Sequence, residues 1–300
     1  ARKKVADAIN AKTKEIYFTS CGSEADNLAL KGIAYANNKK GRHIITTKIE
    51  HPAILESCKS LERQGYEITY LNVDKNGNIS LQELKRSIRQ DTLLISVMFA
   101  NNEIGTIEPI EEIGKIAKKH GVLFHTDSVQ AVGNVKIDVE KMNIDLLSMS
   151  AHKFYGPKGV GALYVREGIE FERIQDGGHQ EKNKRAGTEN IAGIVGLGRA
   201  IELATRHLDE YNARLKNLRD YCISEIEKNF PKSKLNGARE NRLPGNINVS
   251  FPNVPAEELL LKLDEVGICA SAGSACSSGQ STPSHVLIAI GVEKKMADGT

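Results

Sequence analysis

Short apolar runs rich in β-branched residues alternate with amphipathic stretches over the first two-thirds of the chain. IYFTS (16–20), HIITT (43–47), EITYL (67–71), LLISVMF (93–99), VLFHT (122–126) and DLLSMS (145–150) read as strands. Several are apolar on both faces, as in a sheet covered on both sides. Helical periodicity fills 24–38, 52–64, 80–89 and 111–119 between them. This strand–helix–strand alternation predicts right-handed crossovers and a mostly parallel sheet covered by helices, an α/β fold. GVGALYV (159–165) follows a loop and reads as a further strand, open to an antiparallel partner. After about residue 190 the pattern changes to long helices over 191–207 and 209–229, a strand INVSF (247–251), a helix over 255–265 and a small-residue loop over 270–282. Two domains are therefore expected, a large one over 1–205 and a smaller α+β one over 206–300. ARKKVADAIN reads as the middle of an amphipathic helix, and GVEKKMADGT stops without a closing element.

Composition narrows the function classes. Apolar residues make up 40% of the 300 and charged residues 26%, ordinary values that exclude collagen, coiled-coil and disordered chains. A net charge of +3 gives no electrostatic ground for nucleic acid as a direct partner. No apolar run is long enough to cross a membrane, and the first residues lack the apolar core of a signal peptide, so no membrane association is expected. Cys21, Cys58, Cys222, Cys269 and Cys276 form no CxxC pair, which argues against a disulfide framework or a structural zinc site. A reducing cytoplasm fits that usage.

Ligand sites of open parallel sheets lie beyond the carboxyl ends of the strands, so polar groups there are tested for one shared ligand. In TSCGSEADNLAL (19–30) a strand ends, a Gly22 turn follows and a helix starts at Ser23, a place suited to a phosphate as well as to an ordinary cap. In FHTDSVQAVG (124–133) Asp127 stands just past a buried strand with Gln130 three residues on. A buried carboxylate needs a partner such as a protonated heterocyclic nitrogen; the alternative is a helix cap. SMSAHKFYGPKGVGALYV (148–165) is the most specific segment: Ser150, His152 and Lys153 enter a Gly/Pro-rich turn together. A lysine so placed forms a Schiff base when its pKa is depressed, and Ser150 and His152 can donate to phosphate.

SAHKFYGPKGVGALYV resembles the cofactor-lysine signature of class V aminotransferase-like enzymes, fold-type-I proteins of pyridoxal 5'-phosphate (PLP). The likeness runs in order through TSCGSEADNLALKG, TTKIEHPAIL, ANNEIGTIEPI, FHTDSVQAVG, GGHQEKNKRAGTEN and SAGSACSSGQSTPSHVL, and together these resemble the group I cysteine desulfurases. The resemblance implies that Lys153 holds PLP as a Schiff base, that Asp127 pairs with the pyridine nitrogen and that His51 stacks on the ring and serves proton transfer. Asn102 and Gln130 are implied at the ring's phenolic oxygen, with Asn102 also at the substrate. Gly22, Ser23, Ser150 and His152 are implied at the phosphate, and Thr188 at the phosphate of a neighbouring subunit, hence a homodimer, with Arg185 a further polar contact at that junction.

Cys276 is implied as the nucleophile that takes sulfur from L-cysteine, leaving L-alanine and a persulfide for a sulfur-acceptor scaffold protein. No structural metal site is implied; Cys276 meets an iron–sulfur cluster only transiently, through the scaffold. Ser23 stands where many relatives have Thr, which keeps the hydroxyl, and Cys21 where Gly is common. An Asn-Ala-Ala-Thr-Thr-like run is expected ahead of this sequence, and past Thr300 a strand with an Arg for the substrate carboxylate. Two rivals remain: a related PLP lyase or transaminase, for example on selenocysteine, and a non-catalytic subunit that docks a scaffold. His43, His120, His125, His179, His207 and His285 carry no comparable pattern, although His125 lies in the Asp127 strand and is a candidate for the layer behind it.

Overall fold

The structure, a computed structural model, describes residues 1–272 and 284–300. The chain runs α1 (Arg2–Ala8), β1 (Ile16–Thr19), α2 (Gly22–Ala36), β2 (His43–Thr47), α3 (Pro52–Glu62), β3 (Glu67–Leu71), α4 (Leu81–Ser87), β4 (Thr92–Ser96), α5 (Ile110–His120), β5 (Leu123–Asp127), β6 (Leu146–Ser150) and β7 (Gly161–Val165). Then follow the short turn α6 (Gln180–Asn183), α7 (Ile191–Arg206), α8 (Leu208–Asn229), β8 (Lys234–Leu235), β9 (Val249–Ser250), α9 (Ala256–Glu265), α10 (His285–Ala289) and α11 (Lys294–Ala297).

Seven strands form one sheet in the order β1-β7-β6-β5-β4-β2-β3. The pairs β2–β3, β2–β4, β4–β5 and β5–β6 are parallel. β7 alone is reversed, antiparallel to β6 and to β1, as the loop before it allowed. β2, β4, β6 and β7 are buried along their whole length, because helices cover both faces. One core cluster, with Ile95, Phe124, Leu147 and Tyr164, includes the inward residues of α1, α5 and α7. The other, with Ile44, Leu94, Leu146 and Leu163, includes those of α2 and α3.

The helices follow local rules. α5 buries Ile110, Ile113, Ile116 and Ala117, each large apolar side chain contributing about 1.5–3 kcal/mol. It carries Glu111 and Glu112 in its first turn, basic residues in its last, and ends on Gly121 at φ 68, as helix dipole and left-handed cap require. α3 begins with Pro52, capped by the His51 side chain.

Two expectations need correction. The run 93–99 leaves the strand after Ser96, although Val97 and Phe99 still donate backbone bonds to His125 and Asp127. INVSF contributes only Val249–Ser250, paired with Lys234–Leu235, a strand too short to leave a periodic signal. Near the end of the given sequence α11 forms, and Phe251 and Ala256 donate backbone bonds to Gly299 and Asp298.

Candidate active site

The carboxyl ends of β1, β2, β4, β5 and β6 lie along one edge of the sheet, and each delivers part of one site. α2 starts at Gly22 without a side-chain cap, so its leading N–H groups and the positive end of its dipole stay available to an anion. A Cβ on Gly22 would lie 2.5 Å from Val129 Cγ2, so glycine lets the helix start this close to the Val129 side chain. Ser23 is exposed on the first turn, and Ser150 is buried with its Oγ 3.0 Å from His152 Nδ1. Uncapped amides, two serines and a histidine form a donor set suited to phosphate.

β5 ends on Asp127, whose Oδ1 accepts the Val129 N–H at 2.9 Å. Burial pushes this carboxyl up to about 6, opposed by the Val129 bond and the Lys153 ammonium. Lys153 is half-buried in the 3₁₀ turn Ala151–Phe154 after β6. His51 accepts the Ala53 N–H on Nδ1 at 3.1 Å. Burial, the Lys153 ammonium and His285 all lower its pKa, so the ring is neutral with its N–H at Nε2. Side-chain atoms of Asp26, His51 and Asp127 lie within 4.8 Å of one another.

Asn102 is half-buried on a loop fixed by its neighbours: Asn101 Nδ2 donates to the Ile49 carbonyl at 2.9 Å, and Met98 N–H donates to Glu50 at 3.0 Å. These bonds tie the loop of Asn102 to that of His51. Gln130 and Lys153 share a cavity of about 690 Å³ with Tyr155, Tyr211 and Asn246. Thr188 is exposed, and Arg185 forks onto Glu24 in the first turn of α2. Burial raises the Glu24 carboxyl, but the bonds from Arg185 and Ser20 outweigh it and hold it below its ordinary value. Cys276 lies outside the described residues.

Asp26, Glu50 and His285 carried no assigned role in the sequence, and His125 stood there only as a candidate for the layer behind Asp127. Asp26 is buried, with a carboxyl oxygen within 4.8 Å of one of Asp127. His125 is buried between Ser96 Oγ at 2.9 Å and Ser148 Oγ at 3.0 Å, and burial lowers it to about 3, so it is neutral. Glu50, next to His51, accepts from Thr47 Oγ1 at 2.8 Å, and burial raises its carboxyl well above the usual range. His285 Nε2 contacts the Glu50 carbonyl at 2.9 Å, and Ser284 Oγ donates to Glu103, beside Asn102. The downstream flank of the Cys276 segment is thus pinned to the neighbours of two site residues. The signal for Asp26 was present: it is four residues past Gly22, hence on the same inward face of α2.

A buried carboxylate opposite a lysine, at the foot of an uncapped helix start, fits a cofactor bearing a phosphate, a carbonyl and a basic ring nitrogen. A family model described as aminotransferase class-V matches residues 1–296. The cysteine desulfurase IscS of Clostridium botulinum (strain Hall) is 58% identical over 302 residues, covering 100% of this chain and 76% of that protein. A solved NifS-like protein superposes with a TM-score of 0.92 at 40% identity, covering 99% of this chain and 79% of the other. The structure of SspA in complex with cysteine superposes with a TM-score of 0.85 at 38% identity, over 99% and 83%.

Proposed function

This chain belongs to the class-V aminotransferase family, on its cysteine desulfurase branch, and on that premise we propose that it converts L-cysteine to L-alanine with PLP and keeps the sulfur as a persulfide on Cys276. The observation that carries the reading is the convergence of Asp127, His51 and Lys153 on the carboxyl edge of the sheet beside the uncapped start of α2.

In this reading the α2 amides, Ser23, Ser150 and His152 hold the phosphate, Asp127 the ring nitrogen, and Asn102 and Gln130 the phenolic oxygen. When bound, PLP supplies an electron sink for the pair left at the substrate Cα. Lys153 Nζ supplies the amine that anchors the cofactor and takes the Cα proton. Asp127, charged above pH about 6, keeps the opposing positive charge in place. His51, neutral with its N–H at Nε2, would be the proton carrier beside the bound ring. The Cys276 thiolate would then form an S–S bond to the substrate sulfur as the Cβ–S bond breaks; Cβ takes the proton given up by the substrate thiol, Lys153 returns to Cα the proton it took, and alanine leaves with the persulfide anion on Cys276.

The same reading makes residues 1–205 a PLP-binding domain and 206–300 a smaller domain with the cysteine segment. It makes the enzyme a cytoplasmic homodimer that passes sulfur to an acceptor scaffold, iron–sulfur cluster assembly being one destination. Exposure of Thr188 and of Ile191 and Val195 on α7 supports the dimer. No helix among the described residues is long and apolar enough to cross a membrane. The test is a visible spectrum with and without cysteine, followed by a persulfide assay. A visible band removed by borohydride and a persulfide on Cys276 support the reading; alanine release with no protein persulfide would replace it with a lyase.

A further inference from the structure

Two carboxyl groups are buried at the place read above as the site of the ring nitrogen. Asp26 is 1% exposed and Asp127 6%, and their oxygens lie within 4.8 Å. Two buried carboxylates this close do not both ionise; one keeps a proton. Their surroundings decide which. Asp127 accepts the Val129 amide and faces the Lys153 ammonium, so it is stabilised as the anion. Asp26 Oδ1 is buried without a hydrogen-bond partner.

The groups facing Asp26 come from four elements, and none is a cation. Asp127 and His125 come from β5, Glu50 and His51 from the β2–α3 connection, Cys21 from the start of α2, and the Ser148 hydroxyl from β6. His125 Nε2 is only 3.8 Å from Asp26 Oδ1, yet both its ring nitrogens are engaged by serine hydroxyls and burial holds it neutral, so no ion pair forms. His51 is also held neutral. Burial first, then the Asp127 charge, raise the Asp26 carboxyl, and the Ser148 hydroxyl opposes them without reversing the outcome.

We propose that Asp26, set behind Asp127 with one oxygen unpartnered, is a positioning residue that stays a neutral carboxylic acid, so that Asp127 alone carries the charge offered to the ring nitrogen. The proposal rests on the PLP reading for its consequence, but not for the protonation state itself. The neutral acid supports Asp127 from behind and adds no second charge to it. An amide can replace it, and an apolar side chain cannot.

The experiment uses parent, Asp26→Asn and Asp26→Ala proteins freed of PLP. Thermal unfolding is followed from pH 4.5 to 8. A carboxyl whose folded pKa is raised takes up a proton on folding, so its presence costs stability increasingly as pH rises from ~4 towards the folded value. Asp26→Asn is therefore expected to melt about 3 °C or more above the parent at pH 8, with the gain shrinking towards pH 4.5. PLP affinity is then measured by titration at pH 5.5–8. Asp26→Asn is expected within about 3-fold of the parent with the same acid limb, and Asp26→Ala about 10-fold weaker with the limb shifted upward, since Asp127 then faces an apolar side chain in place of a polar neutral one.

Identical melting profiles for parent and Asp26→Asn would overturn the neutral-acid assignment. So would a 10-fold loss of PLP affinity in Asp26→Asn, which would mean that a charged Asp26 is needed. Parent-like affinity and acid limb in Asp26→Ala would overturn the link to Asp127. A parent that binds no PLP defeats the function proposed above and leaves the melting comparison standing as the test of Asp26.

Discussion

Arg185 reaches back from the RAGTEN segment to Glu24, with Nε 2.7 Å from Oε1 and Nη2 3.2 Å from Oε2. Glu24 Oε2 also accepts the Ser20 N–H at 2.8 Å, so one carboxylate joins the end of β1, the first turn of α2 and the segment that bears Thr188. Both partners are largely shielded, at 20% and 17% side-chain exposure, so the pair is worth more than an open surface bridge. Arg185→Ala is expected to weaken PLP binding about 5-fold, roughly 1 kcal/mol, by loosening the helix start proposed to receive the phosphate. A double-mutant cycle with Glu24→Ala measures it: a coupling near ~1 kcal/mol supports the link, and strict additivity removes it.

Lys153→Ala is expected to abolish turnover while leaving PLP bound without a covalent link. Asp127, Ser150 and the α2 amides sit on other elements and do not depend on Nζ. Affinity should fall without vanishing, and borohydride should no longer fix the cofactor to the protein. Parent-level turnover in this variant would remove Lys153 from its role.

Much of this arrangement was legible before the fold was known, and the reasons are local. β2 announces itself by its β-branched run Ile44–Thr47 and β6 by Leu146, Leu147 and Met149, and Lys153 because a strand, two polar donors and a Gly/Pro turn fall within a few residues. Asp26 was read only as part of a helix start. Its meaning depends on Asp127, 101 positions further on, which nothing in the local pattern of α2 specifies. His285 is brought to Glu50 across a sequence separation of 235, and an isolated histidine gives no sign of such a contact. β8 and β9 have two residues each, too few for any periodicity.

The Asp127 carboxyl predicts an acid limb. Burial raises it to about 6, so it is charged above that pH and protonated below it. In the role proposed for Asp127, protonation removes the partner of the ring nitrogen. PLP affinity is therefore expected to be flat near pH 8 and to fall towards about 10-fold per unit below pH ~6. Asp127→Ala should show the weak affinity at every pH, with no limb of that origin. A parent whose affinity does not change between pH 5 and 8 would show that the carboxyl does not meet the ring.

Cys276→Ser separates cofactor chemistry from sulfur transfer. The hydroxyl is nearly isosteric with the thiol, so fold and PLP content should be intact. A serine hydroxyl is not ionised near neutral pH and forms no stable persulfide, whereas a thiolate does both tasks. Binding of cysteine depends on Lys153 and the groups around Asp127, none of which the substitution touches. The variant is therefore expected to keep the cysteine-induced spectral change and to lose alanine and sulfide production by at least ~100-fold. The same substitution at Cys58 should give no such split. That thiol is buried on α3, where burial drives its pKa far up and keeps it inert. Cys21, Cys222 and Cys269 are the remaining controls, each free among the described residues. Alanine release by Cys276→Ser at the parent rate would make the thiol a bystander and turn the assignment to a PLP lyase that discharges sulfur directly to solution.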